Sequence, residues 1–124
     1  MCIEENSDLT PQETILSFEV NDKDSHRMTF SATAGGLVFV SATYSTYDVT
    51  DYGTLFVDII SGTTRYARNC QRTDVDSAVY RSSNASAMIV TQGSDIYIDY
   101  GSSIKETKII IINIVAFGCT VTKV

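Results

Sequence analysis

The sequence predicts an all-β fold: an antiparallel β-sandwich of eight or nine strands in a single domain. Three observations carry that prediction. Tyrosine, valine, isoleucine and threonine are plentiful, while there is one proline and no tryptophan, a composition suited to pleated, half-buried surfaces. Clusters of Gly, Ser, Asn and Asp cut the chain into short alternating runs, the pattern of strands joined by turns. No window of helical length shows a 3.6-residue apolar period. At 124 residues the chain is one domain, just large enough for a single core.

Residues 1–14 read as an acidic, irregular lead-in and residues 15–124 as the sandwich. Thr10-Pro11-Gln12-Glu13 would suit a helix start, with a threonine cap, proline in the first turn and glutamate three residues on. Ile15 to Val20 then alternates like a strand, so any helical turn is short. Asn21 to Asp24 is a polar turn, and Arg27 to Ala32 the next strand. Gly35-Gly36 punctuates before Leu37 to Thr43, a strand. Tyr44 to Gly53 is a polar loop. Thr54 to Ile60 is a strand with Leu55, Val57 and Ile59 on one face, and Ser61-Gly62 turns it into Thr63 to Arg68 as a hairpin. Cys70 to Asp76 is a polar connector to a strand or two within Ser77 to Thr91, where Ala85, Ala87 and Ile89 alternate with Ser86, Met88 and Val90. Gln92-Gly93-Ser94 is a turn, Asp95 to Tyr100 alternates almost perfectly, and Gly101 to Thr107 leads into the last long strand.

That strand, Lys108 to Gly118, is the most informative segment. It is too short to span a bilayer as a helix. Its two faces are Ile109, Ile111, Asn113, Val115, Phe117 and Ile110, Ile112, Ile114, Ala116, since successive strand side chains point oppositely. Both are apolar. A small sandwich covers one face of each sheet, so the other needs a cover, and a second copy of the chain is the simplest one. The interface candidates are Ile110, Ile112, Asn113, Ile114 and Phe117. Asn113 must find hydrogen-bond partners or cost a few kcal/mol. Copies meeting at an axis could satisfy one another and fix register, with local backbone or water as the alternative.

Residues 1–26 hold seven acids (Glu4, Glu5, Asp8, Glu13, Glu19, Asp22, Asp24) against Lys23, which accounts for the whole formal charge of -6. The remaining acids and bases cancel. A neutral sandwich with an acidic lead-in lacks the basic surface that nucleic acid requires. No basic region followed by an apolar core stands near Met1, so classical secretion is not expected. Cys2, Cys70 and Cys119 lack metal-ligand spacing, and Cys70 and Cys119 read as buried free thiols or a bridged pair.

Catalytic constellations are thin. His26 is the only histidine, within an acidic turn and without an evident nucleophile or orienting acid. The glycines are dispersed, so no phosphate loop forms, and no calcium-loop signature arises from the scattered aspartates. No metal or cofactor is expected. The strongest binding candidate is the loop with Tyr44, Tyr47, Asp48, Asp51 and Tyr52. Tyrosines offer flat faces at low entropic cost and the aspartates accept hydroxyl hydrogen bonds. Arg65 beside Tyr66 is a further pair able to grip a carboxylate or a sugar. The bland alternatives are a plugged sandwich end and a solvated strand face.

Gly36-Leu-Val-Phe-Val-Ser-Ala42 is similar to the glycine-aromatic strand of the complement and TNF-like globular-head family. Thr54 to Thr64 resembles its following hairpin, and Ser83 to Tyr100 its strand, glycine-polar turn and alternating strand. The same order resembles small head domains at the tips of bacteriophage tail fibres, which are rich in Ser, Thr, Tyr and Gly. The likeness covers roughly residues 27–122. Phe117-Gly118 is followed here by Cys119 to Val124, a departure from the complement type that favours the phage type. The resemblance implies a TNF-like jelly roll, eight to ten strands in all, assembling as a homotrimer with its last strand near the three-fold axis. It implies a non-enzymatic virion or appendage head, extracellular after assembly, that meets a cell-surface glycan or protein receptor and a further virion protein without inserting into membrane. The alternative is a structural decoration or adaptor docked through the acidic segment.

Overall fold

The computed structural model describes residues 10–46, 53–73 and 81–124. Among these residues are nine strands and no helix: β1 (Gln12–Val20), β2 (Ser25–Ala32), β3 (Leu37–Thr46), β4 (Gly53–Ser61), β5 (Thr64–Thr73), β6 (Arg81–Val90), β7 (Ile96–Ser102), β8 (Lys108–Phe117) and β9 (Val121–Lys123). They form a four-stranded sheet, β1-β8-β3-β6, and a five-stranded sheet, β5-β4-β7-β2-β9. Every pairing is antiparallel. The fold is an antiparallel jelly-roll sandwich, and its two-sheet, all-β architecture is what the alternation predicts.

The inner faces interlock as one core. β3 contributes Val38, Val40 and Ala42, β4 Leu55, Val57 and Ile59, β7 Ile96 and Ile98, and β8 Ile110, Ile112 and Ile114, all buried, with Phe30 of β2 and Ile89 of β6. Each of these side chains larger than alanine contributes roughly 1.5–3 kcal/mol by leaving water.

Four differences from the sequence reading have physical causes. The strand begins at Gln12, not Ile15, because that segment finds a ladder along β8 from Ala116, so Thr10-Pro11 starts no helix. β3 runs on to Thr46, so Tyr44 is not a loop residue. It continues the inward phase of Val38, Val40 and Ala42, is fully buried, and meets Tyr100 edge-on at 5.3 Å. In the β4–β5 hairpin the register slips beside Ile59 and Ile60, leaving Tyr66 as the extra residue of a bulge. Finally, the chain after Phe117 crosses to the other sheet and adds β9 beside β2. Gln12 ties β1 to this last strand: its Nε2 donates to the Val121 carbonyl at 2.8 Å, and the Val121 N–H donates to Gln12 Oε1 at 2.9 Å.

Cys70 and Cys119 are both free, and Cys70 is exposed on β5, so the expectation of a buried or bridged Cys70 does not hold. Its side chain shares the solvent face of an edge strand.

Candidate functional site

The outer face of the β1-β8-β3-β6 sheet can be laid out row by row from the register. Across β1, β8, β3 and β6 the rows read Ser17, Ile111, Thr43, Asn84; then Ile15, Asn113, Ser41, Ser86; then Glu13, Val115, Phe39, Met88. Phe117, Leu37 and Val90 form the next row across β8, β3 and β6. Ile15, Met88 and Val90 are 59%, 58% and 61% exposed, and Phe39, Ile109, Ile111 and Phe117 are also open. Phe39 and Phe117 pack edge to face at 5.8 Å. Exposed apolar side chains gathered on one face are a common feature of contact surfaces.

In its middle lies a depression of ≈ 430 Å³, walled by Phe39, Met88 and Val115 and floored by Ser41, Ser86 and Asn113. The Asn113 Oδ1 is buried and accepts no hydrogen bond. That acceptor is an unmet demand within an apolar face.

This geometry corrects the interface candidates. Ile110, Ile112 and Ile114 point into the sandwich and are buried. They cannot meet another copy without the sheets parting. Asn113 and Phe117 lie on the outer face, together with Ile109, Ile111 and Val115. The strand offers isoleucine to both sides, and only its neighbours decide which side is out: Val40 and Ala42 accompany the inward set, Ser41 and Thr43 the outward one.

The outer face of the second sheet is different. Register sets Arg68, Asp58, Asp99 and Arg27 in one row across β5, β4, β7 and β2. Arg27 grips Asp99 with two hydrogen bonds, Nε to Oδ1 at 2.7 Å and Nη2 to Oδ2 at 2.9 Å. Its guanidinium also lies 4.3 Å over the Tyr97 ring. The Asp99 bonds raise the pKa of Arg27 above its ordinary value. Arg65 belongs to this face through Asp58. Tyr66 does not; it lines a shallow hollow with Thr64, Gln92 and Ser94. The two are adjacent in sequence, yet the bulge separates them. Tyr47, Asp48, Asp51 and Tyr52 lie outside the described residues.

One end of the sandwich holds a polar cluster that sequence spacing does not reveal. The His26 Nε2 and Asp22 Oδ1 are 2.8 Å apart, and the His26 ring rests against Tyr100. The His26 bond, with help from the Asp24 N–H, lowers the Asp22 pKa. Lys108 is fully buried and its Nζ donates to the carbonyls of Ile104 and Glu106, the latter at 2.9 Å. Burial lowers its pKa, against the pull of Asp22 and Glu106. Burial also raises the pKa values of Tyr44 and Tyr100.

Lys108→Met should therefore cost about 1–3 kcal/mol near neutral pH, since two carbonyls lose their donor. The difference should depend on pH. A lysine whose folded pKa lies below the ordinary 10.5 loses its proton first in the folded state. Between the two values the unfolded chain binds more protons, so stability rises with pH. Wild type should gain on Lys108→Met across that alkaline window in urea titrations. Tyr44 and Tyr100 act with the opposite sign but cancel between the two proteins. A pH-independent difference would contradict the burial of the ammonium.

Among the described residues no group of three or more His, Cys, Asp and Glu is placed to hold a metal ion. No described helix is long and apolar enough to cross a membrane.

No family model matches the chain, and no curated protein matches it. Solved structures do align with it. The CBM22-1–GH10 modules of xylanase 10B from Clostridium thermocellum align at 12% identity over 69% of this chain and 18% of that one, with a TM-score of 0.41. The Eiger TNF of S. frugiperda aligns at 13% identity over 64% and 59%, at 0.37. The globular domain of zebrafish complement 1qA aligns at 13% identity over 64% and 60%, at 0.39. The chain thus spans less than two thirds of each of these structures. At such scores none of the likenesses bears on function, and the sandwich assignment rests on the two sheets themselves.

Proposed function

We propose that the chain is a non-enzymatic homotrimeric head domain, carried on a virion or comparable appendage, that attaches to a glycan or protein at a cell surface. One observation carries this reading: the outer face of β1-β8-β3-β6 exposes Ile15, Phe39, Met88, Ile109, Ile111 and Phe117 around a small polar centre, whereas the opposite outer face carries a row of paired charges. A chain with this asymmetry hides the first face against copies of itself and presents the second. In the trimer Asn113 of each copy finds in its neighbours the donor it lacks alone, and the serines of the depression complete that polar spot.

Light scattering after gel filtration tests the assembly. Wild type should have a mass near three times 13.6 kDa. Ile111→Asp, on the open face, should give a folded monomer with an unchanged circular dichroism spectrum. A wild-type monomer, or an Ile111→Asp protein that stays assembled, would sink this reading.

A further inference from the structure

The charged outer face carries an unfinished ion-pair arrangement. Arg27 is fully engaged by Asp99 and Tyr97. Arg65 and Arg68, by contrast, share one carboxylate. Arg65 Nη2 stands 3.6 Å from Asp58 Oδ2 and Arg68 Nε 3.3 Å from Asp58 Oδ1, and Asp58 Oδ1 makes no hydrogen bond. Asp58 is buried while both guanidiniums are half exposed. One positive charge is left over, and forked N–H donors face solvent without an acceptor among the described residues.

Next to Arg68 is a hollow of ≈ 380 Å³ lined by Ser25, His26, Arg27, Phe56, Asp58, Arg68 and Asp99. Its floor is flat because Phe56 covers Gly101: a Cβ on that glycine would come 2.5 Å from the ring's Cε1. Three chemistries therefore meet: an aromatic face, a guanidinium with spare parallel donors, and hydroxyl and carboxylate oxygens that take hydrogen bonds. Guanidiniums of this kind bind carboxylates through two parallel bonds, and aromatic faces take the C–H side of a ring while the rim reads its polar groups.

We propose that this hollow binds an acidic monosaccharide unit, with its carboxylate on Arg68, its ring on Phe56 and its hydroxyls donating to Asp99. Resting on the binding-head reading above, this names the class of ligand that head takes. A neutral sugar leaves the Arg68 fork unanswered, and a bare inorganic anion leaves the aromatic floor unused.

The test is an NMR titration of the full chain with glucuronic acid, glucose and sodium sulfate, following the arginine Nε–H resonances. Glucuronic acid should bind saturably and shift the Arg68 signal, with glucose and sulfate each at least about tenfold weaker. Arg68→Lys keeps the charge beside Asp58 but loses the fork. Phe56→Leu keeps apolar bulk but loses the flat face. Each should weaken glucuronic acid binding about tenfold or more while melting stays near wild type. Equal binding of glucose or of sulfate, or undiminished binding by both variants, would overturn the proposal. Mass measured on the same samples separates the two readings: an intact trimer blind to the sugar sinks only this site, and a monomer that binds it sinks only the trimer.

Discussion

Ile112→Asp is expected to leave no folded protein, although Ile111→Asp one position away leaves the fold intact. Ile112 is wholly buried, registered between Leu16 of β1 and Ala42 of β3 in the middle of a central strand. A carboxylate there loses water and gains no donor, so it must protonate or force the sheets apart. The loss of packing and the stranded polar group together cost on the order of 5 kcal/mol or more, against a typical total stability of about 5–15 kcal/mol. Ile111 stands between Ser17 and Thr43 and is 43% exposed, so its replacement leaves the core packing in place. Soluble yield and circular dichroism separate the two. A folded Ile112→Asp would mean that the inner and outer faces of β8 are reversed.

Gly36→Val should be the next most damaging change. A Cβ at Gly36 would lie 2.5 Å from both Cβ and Sγ of Cys119 and 2.6 Å from the Phe117 carbonyl oxygen. Gly36 cannot retreat: its N–H donates to Thr91 Oγ1 at 2.8 Å and its carbonyl accepts from the Thr91 N–H at 2.9 Å. The segment leading to β9 must move instead, and it carries Val121 out of the core with it. Overpacking of this kind costs about 3 kcal/mol or more, a fall in melting temperature on the order of 10 °C. Cys119→Ala in the same chain should recover little, because the Cβ and the carbonyl oxygen remain. Near-wild-type melting of Gly36→Val would show that the 117–119 segment yields freely.

What could be read from the sequence follows from how each strand is covered. β4 and β7 each keep one side apolar and interrupt the other with an aspartate, so alternation gives both their position and their facing. β8 is apolar on both sides, which announces an apolar outer surface but not which isoleucines form it. Tyr44, Ser45 and Thr46 look like loop material, and their strand state comes from pairing with Ser83, Ser82 and Arg81 on one side and Ile110, Ile109 and Lys108 on the other. β5 runs through Asn69 and Arg72 because an edge strand with a solvated face tolerates polar residues. β9 is three residues long, below any periodic signal. The Arg68–Asp58–Asp99–Arg27 row joins four strands whose register depends on the turns and the bulge. Arg65 could be singled out as a binding residue, but its carboxylate partner could not.

The join between Gln12 and Val121 has a mechanical side. β1 runs from that end of the sandwich toward the end that holds Asp22, His26 and Lys108. Tension entering at Gln12 and leaving through a grip at the far end would be directed along β1. Ladder hydrogen bonds lie across the strand direction, so the nine register pairs with β8 would be loaded together and resist as one. Tension that drew Gln12 away from Val121 would instead meet two hydrogen bonds first and then open the ladder pair by pair. The domain is therefore strong when pulled lengthwise and weak when peeled from its clasped end.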